Sequence, residues 1–131
     1  MKIKGLIMAG VLLLFPDPVI AWEHSMELNQ TGDYNEYLLR QSGRSHTALA
    51  EQTGNYNSVE HIQLGTGHYA EMLQGGNGNS LLLKQRGTNN RSEDSQVGNR
   101  NQIEKVQDGV GLESRIEQHG DGLAIKITQT N

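Results

Sequence analysis

Glutamine stands at every eleventh position along most of the chain: Gln30, Gln41, Gln52, Gln63, Gln74, Gln85, Gln96, Gln107, Gln118 and Gln129, with no slip in the interval. Two residues after each of the first nine comes a glycine, at Gly32, Gly43, Gly54, Gly65, Gly76, Gly87, Gly98, Gly109 and Gly120. Five residues after the same glutamines stand Asn35, His46, Asn57, His68, Asn79, Asn90, Asn101, Leu112 and Leu123. So strict a period means one small structural unit repeated and stacked on itself. It limits the fold more than any other property of the sequence.

An eleven-residue period closes three helical turns and is compatible with a right-handed coiled coil. Composition excludes that reading. Each lattice glycine would cost about 1 kcal/mol relative to alanine in a helix interior, and no apolar seam runs along the glutamines. Residue parity points instead to strands, in which alternate side chains share a face. The seventh place after Gln holds Tyr37, Ala48, Val59, Ala70, Leu81, Ser92, Ile103, Ser114 and Ile125. The ninth holds Leu39, Ala50, His61, Met72, Leu83, Asp94, Lys105, Ile116 and Ile127, and the eleventh is the next Gln. The intervening eighth place is richer in charge, as at Glu60, Glu71, Glu93, Glu104, Arg115 and Lys126. One face is therefore mostly apolar and ends in amides, and the other is polar.

The segment between strands, Gly-x-x-Asn, reads as a turn. Glycine accepts positive φ without a Cβ penalty, and Asn tolerates such conformations and bonds its own backbone. Each eleven-residue unit reverses the chain once, so two units complete a circuit. The expected fold is all-β: a parallel, amyloid-like β-solenoid of five 22-residue circuits, two strands per circuit. Ten strands of roughly six residues run from near His24 to near Gln129. Inward amides are costly when unpartnered, at about 1–3 kcal/mol each. Identical Gln or Asn side chains one layer apart remove that cost by bonding amide to carbonyl along the column. Gln30 to Gln129, with Asn35, Asn57, Asn79, Asn90 and Asn101, are accordingly expected to form the ladder that sets register and supports polymerisation.

Residues 1–21 have the layout of a secretory leader. Lys2 and Lys4 precede a short apolar run from Gly5 to Phe15, which Pro16 and Pro18 break, and a cut after Ala21 is expected. The run is short for a membrane span. The repeat solenoid then occupies residues 22–131. Without the leader, nine basic side chains face fourteen acidic ones, a formal charge of −5 with no basic patch. Nucleic acid is not an expected partner. With no cysteine, an exported chain has no disulfide staples, so the stacked lattice must hold it together.

The open ends imply a mechanism. First and last circuits leave strand edges that invite pairing with another chain unless proline, charge or a covering element blocks them. No proline follows residue 21. Strand addition at such an edge is both binding and polymerisation.

The pattern Q-x-G-x-x-N-x-(small or apolar)-x-(apolar)-x-Q resembles the curlin repeat of bacterial curli fibres across about residues 24–131. QTGDYN at 30–35, QTGNYN at 52–57 and LAIKITQ at 123–129 look most like the minor curlin subunit. The resemblance implies a secreted subunit of an extracellular, cell-surface amyloid fibre of a Gram-negative bacterium, supporting adhesion and biofilm matrix. As partners it implies copies of itself, the major curlin subunit that it nucleates, and outer-membrane factors for secretion and tethering. Two departures stand out. Family members carry a polar targeting stretch before the first repeat, whereas here the repeats start directly after Trp22 and Glu23. Their last repeat is basic, whereas here Arg115 and Lys126 are offset by Glu113, Glu117 and Asp121.

A major structural fibre subunit is the nearest alternative role, and a surface adhesin for carbohydrate or host protein is one of another class. Catalysis is not expected: the acids are scattered, no nucleophile motif appears, and no cofactor is implied. His24, His46 and His68 lie 22 residues apart and so share one column where Asn is usual. The simplest reading is replacement of Asn by another hydrogen-bonding group. A metal or pH-responsive ladder is the sharper alternative, although collinear rings match no closed metal geometry. Asp94 and Lys105 interrupt the ninth place and are expected to turn outward in a locally weak fourth circuit, with pairing across the circuit as the alternative. Leu112 and Leu123 mark an atypical terminal layer.

Overall fold

The computed structural model describes residues 2–4, 11–14 and 24–131. The expected leader and its cleavage site therefore fall for the most part outside the described residues. Among the described residues the chain is all strand and turn, with no helix. Strands β1 (Lys2–Lys4) and β2 (Val11–Leu14) are short. They are followed by β3 (Ser25–Thr31), β4 (Glu36–Arg44), β5 (Thr47–Thr53), β6 (Ser58–Thr66) and β7 (Tyr69–Gly75). Then come β8 (Ser80–Thr88), β9 (Arg91–Val97), β10 (Gln102–Val110), β11 (Glu113–His119) and β12 (Ala124–Thr130).

Odd strands form one sheet, β1-β3-β5-β7-β9-β11, and even strands the other, β12-β10-β8-β6-β4-β2. From β3 onward every pairing is parallel and joins residues 22 apart, so Gln30 lies on Gln52 and Gln41 on Gln63. The result is a two-sheet β-solenoid of five circuits. Ten strands were expected over this span and ten are present. Their lengths differ from expectation: seven residues in the odd sheet, and nine in β4, β6, β8 and β10. In these nine-residue strands the ladder runs on through the turn glycine, as in Gly43 on Gly65.

Parity explains the core. Seventh- and ninth-place side chains point between the sheets, and Leu28, Tyr37, Leu39, Ala48, Val59, Met72, Leu81, Leu83 and Ile103 are all buried. Along β4 the pattern alternates strictly, with Tyr37, Leu39 and Gln41 buried and Glu36 and Arg40 exposed. A slip of one residue would turn every one of these side chains to the wrong face.

The turns contain two positive-φ positions rather than a glycine and an asparagine. The first is the lattice glycine, for example Gly54 at φ 113. A Cβ there would lie 2.0 Å from the carbonyl oxygen of Gly76 in the next circuit, so stacking as well as φ demands glycine. The second falls four residues after Gln, on Tyr34, Ser45, Tyr56, Gly67, Gly78, Asn89, Arg100, Gly111 and Gly122, with φ between 54 and 68. Asn35 and its equivalents carry no positive φ. Their part in the turn is played by the side chain.

Candidate functional site

The ten lattice glutamines project inward from the strand ends, where each strand hands over to its turn. All are buried except Gln129, in the last circuit, which is half-buried. They form two columns, and each column is polar in direction. In the odd sheet Nε2 of Gln30 donates to Oε1 of Gln52 (2.5 Å), Gln52 to Gln74 (2.9 Å), Gln74 to Gln96 (2.9 Å) and Gln96 to Gln118 (3.0 Å). In the even sheet Gln41 donates to Gln63 (2.7 Å), Gln63 to Gln85 (3.0 Å), Gln85 to Gln107 (3.0 Å) and Gln107 to Gln129 (2.9 Å). The main chain dictates this direction. From Gln52 onward each Nε2 also donates to a backbone carbonyl sixteen residues earlier, as Gln52 does to Glu36 (3.1 Å) and Gln63 to Thr47 (3.2 Å). Only the NH₂ side of an amide can face a carbonyl, so Oε1 must point toward the preceding circuit.

The two ends of the ladder therefore differ. In the first circuit Oε1 of Gln30 and Oε1 of Gln41 are buried and accept no hydrogen bond. In the last circuit Nε2 of Gln118 donates only to Gln102 O (3.3 Å), and Nε2 of Gln129 only to Glu113 O (3.2 Å), among the described residues. Each has a second N–H and no glutamine above it. Buried acceptors lie at one end and spare donors at the other, on matching columns.

The asparagines make a second ladder that locks the turns. Backbone N–H groups of Asn57, Asn79 and Asn101 donate to Oδ1 of the Asn one circuit earlier at 3.0–3.1 Å. Each Nδ2 in turn reaches the carbonyl of the next circuit's lattice glycine: Asn35 to Gly54 (2.8 Å), Asn57 to Gly76 (2.9 Å), Asn79 to Gly98 (2.9 Å), Asn101 to Gly120 (2.7 Å). Asn90 does the same toward Gly109 (3.2 Å). Leu112 and Leu123 accept this arrangement through their N–H groups but have nothing to pass on.

The histidines take the place of Asn in the other turn column. Nδ1 of His24, His46 and His68 each accepts the backbone N–H of the residue 22 further on, at 3.3 Å. Nε2 of His46 and His68 pairs with the carbonyls of Ser42 (3.1 Å) and Leu64 (3.0 Å). The rings stack face to face with centroids 5.1 Å apart. Both nitrogens of His46 and His68 are thus engaged with main chain, in the neutral Nε2–H form. Among the described residues no group of three or more potential ligands is arranged to hold a metal ion. Burial pushes His46 down to about 4, with the neighbouring rings adding to it, and lowers His68 and His24 as well.

Asp94 and Lys105 do not turn outward. Both side chains are fully buried and form an ion pair across the core from β9 to β10. Ser92 Oγ completes the cluster, donating to Asp94 (2.8 Å) and accepting from Lys105 Nζ (3.0 Å). The expectation of a loosened layer fails because a partner stands opposite: each charge is the other's only means of entering the core. Desolvation raises Asp94 and lowers Lys105, and their mutual attraction opposes both shifts.

The third place after Gln was not singled out from sequence, yet it carries a further ladder on the exposed side of the turns. Oδ1 of Asn55, Asn77, Asn99 and Asp121 each accepts the backbone N–H of the residue 22 earlier, at 2.7–3.1 Å. The amide or acid at this place in every second repeat was the available signal. Neither a protein-family model, nor a curated protein, nor a solved structure matches the chain.

Proposed function

We propose that the chain is a curlin-like subunit of an extracellular amyloid fibre, which nucleates or extends the fibre when copies stack end to end. The observation that carries this reading is the complementarity of the two ends. A second copy set on the last circuit in the 22-residue register brings its Gln30 and Gln41 over Gln118 and Gln129. The spare Nε2 donors then meet Oε1 acceptors that have no protein partner, and each new bond contributes about 0.5–1.5 kcal/mol net of water. Once β1 and β2 are removed, the same step pairs the free edges of β11 and β12 with those of β3 and β4.

Strands β1 and β2 lie along part of β3 and β4, against Glu27 to Asn29 and Tyr37 to Arg40. Cleavage of the expected leader clears that edge, so export and assembly competence coincide. The partners proposed are further copies of this chain and a major curlin-type subunit, with outer-membrane factors for secretion and attachment.

A seeding assay tests the proposal. Protein lacking residues 1–21 should form dye-binding fibres with little lag, and trace amounts should shorten the lag of a major subunit. Replacing Gln118 and Gln129 together by Leu should slow elongation while leaving the circular dichroism of the monomer unchanged. Soluble protein that never assembles, or fibres whose growth ignores that double change, would refute the reading.

A further inference from the structure

The outward face of the even sheet carries an order that the repeat does not require. In successive circuits the eighth-place column reads Leu38, Glu60, Leu82, Glu104 and Lys126, and the adjacent tenth-place column reads Arg40, Ile62, Lys84, Val106 and Thr128. Over the first four circuits aliphatic and charged residues alternate in both columns, one circuit out of phase, to give a checkerboard, which Lys126 and Thr128 end in the fifth. Within those four circuits the acids stay in one column and the bases in the other. None of these side chains is buried, and among the described residues no ion pair engages Arg40, Glu60 or Lys84, whereas Glu104 pairs with Lys126 (2.8 Å). Water alone gives no reason for such an arrangement, whereas a matching surface does.

We infer that this face docks against the same face of a second copy, with the two solenoids parallel, side by side and offset by one circuit. Rotating one copy half a turn about the solenoid axis sets its tenth-place column against the first copy's eighth. Without an offset charge meets hydrocarbon, as when Leu38 faces Arg40 and Glu60 faces Ile62. A one-circuit offset corrects every contact among the first four circuits, and only the last layer, where Glu104 faces Thr128 and Val106 faces Lys126, stays unmatched. Leu38 then meets Ile62 of the second copy, Glu60 meets Lys84, and Leu82 meets Val106. On the other side of the axis Arg40 meets Glu60, Ile62 meets Leu82, and Lys84 meets Glu104. An antiparallel pair sets the eighth-place column against itself, which puts Glu against Glu or Glu against Leu.

The outward face of the odd sheet has no such order. Its eighth-place column is Glu27, Leu49, Glu71, Glu93 and Arg115, which places acids in successive circuits.

Four overlapping circuits of strands this long give a contact of roughly 500 Å² per copy. That is below the ~800 Å² per partner typical of stable complexes, so a single pair is weak. The pairing needs only the folded solenoid and does not depend on end-to-end growth. Where copies do join end to end, the contact lengthens in proportion.

The chain has no cysteine, so introduced thiols report contacts without background. Full-length Leu82→Cys protein mixed with Val106→Cys protein should form a disulfide-linked pair under mild oxidation, and Leu82→Cys alone should form little. Adding Glu60→Lys to the first chain should cut the yield by tenfold or more at low salt. Adding Lys84→Glu to the second should restore it, with the circular dichroism of every chain unchanged. Equal cross-linking of Leu82→Cys to itself, no cross-link in the mixture, or a yield indifferent to the charge reversal overturns the inference.

Discussion

The buried Asp94–Lys105 pair makes a quantitative prediction about what holds the fourth circuit together. Register places Asp94 between Met72 and Ile116, and Lys105 between Leu83 and Ile127, so hydrocarbon lies above and below both charges. Removing one charge leaves the other buried without a counter-ion. Asp94→Leu or Lys105→Met alone should therefore cost about 3–5 kcal/mol. Replacing both removes the desolvation cost along with the attraction. The double variant should match the unmodified chain or exceed it by about 1–4 kcal/mol. Urea unfolding of dilute monomer, followed by circular dichroism, measures the cycle. With a slope of about 1.5 kcal/mol/M for a chain of this size, each single change moves the midpoint down by roughly 2 M or more. The double change leaves it at or above its starting point. Additive single effects of less than about 1 kcal/mol would show that the charges are not coupled and that water reaches this layer.

Two more predictions concern the ladders. Below pH 6.5 the unfolded chain takes up protons that folded His46, held down to about 4, refuses. Stability should be full above pH 6.5 and fall by roughly 3 kcal/mol as pH drops toward 4, with His61, pushed by burial to about 3, adding in the same direction. His46→Asn, which restores the usual lattice residue, should flatten the urea midpoint against pH, and an unchanged slope would place the effect elsewhere. Gly76→Ala should cost roughly 2–5 kcal/mol, because its Cβ would lie 2.0 Å from Gly98 O at φ 110. Gly75→Ala, where nothing lies within 4 Å of the added Cβ, should stay within about 0.5 kcal/mol in the same thermal melt.

The stacking register was legible because one residue type marks it. Gln recurs without a slip, and the 22-residue pairing of Gln30 with Gln52 follows once two strands make a circuit. The inward face was legible from parity at Tyr37, Leu39 and their equivalents. The second positive-φ position was not, because three unrelated kinds of side chain, at Tyr34, Ser45, Tyr56 and Arg100, occupy it beside the glycines and Asn89. Gly67, Gly78, Gly111 and Gly122 at that place were the trace it left. Nor was the fate of Asp94 and Lys105 readable. Whether two charges nine places into successive repeats turn out or pair inward depends on the distance between facing strands, which a linear pattern does not contain. The direction of the Gln ladder was equally hidden. It is imposed by carbonyls such as Glu36 O and Thr47 O, from the strand on the other side of the core.

That direction gives the two ends of the molecule different chemistry, and the Asn ladder sharpens the difference. Inside the solenoid each circuit is joined to the next by strand pairing, by two Gln bonds and by Asn or His holding the neighbouring turn. Across an end-to-end junction of the proposed kind the first two contributions continue unchanged. The third stops, because Leu112 and Leu123 present hydrocarbon where His24 and Asn35 of the next copy would seek an acceptor for their N–H groups. Each junction then lacks two to four hydrogen bonds that every internal interface has, at about 0.5–1.5 kcal/mol apiece. A fibre built this way breaks at junctions before it breaks within a subunit. Each break exposes the same pair of ends, with acceptors on one side and donors on the other, and both are competent to grow again.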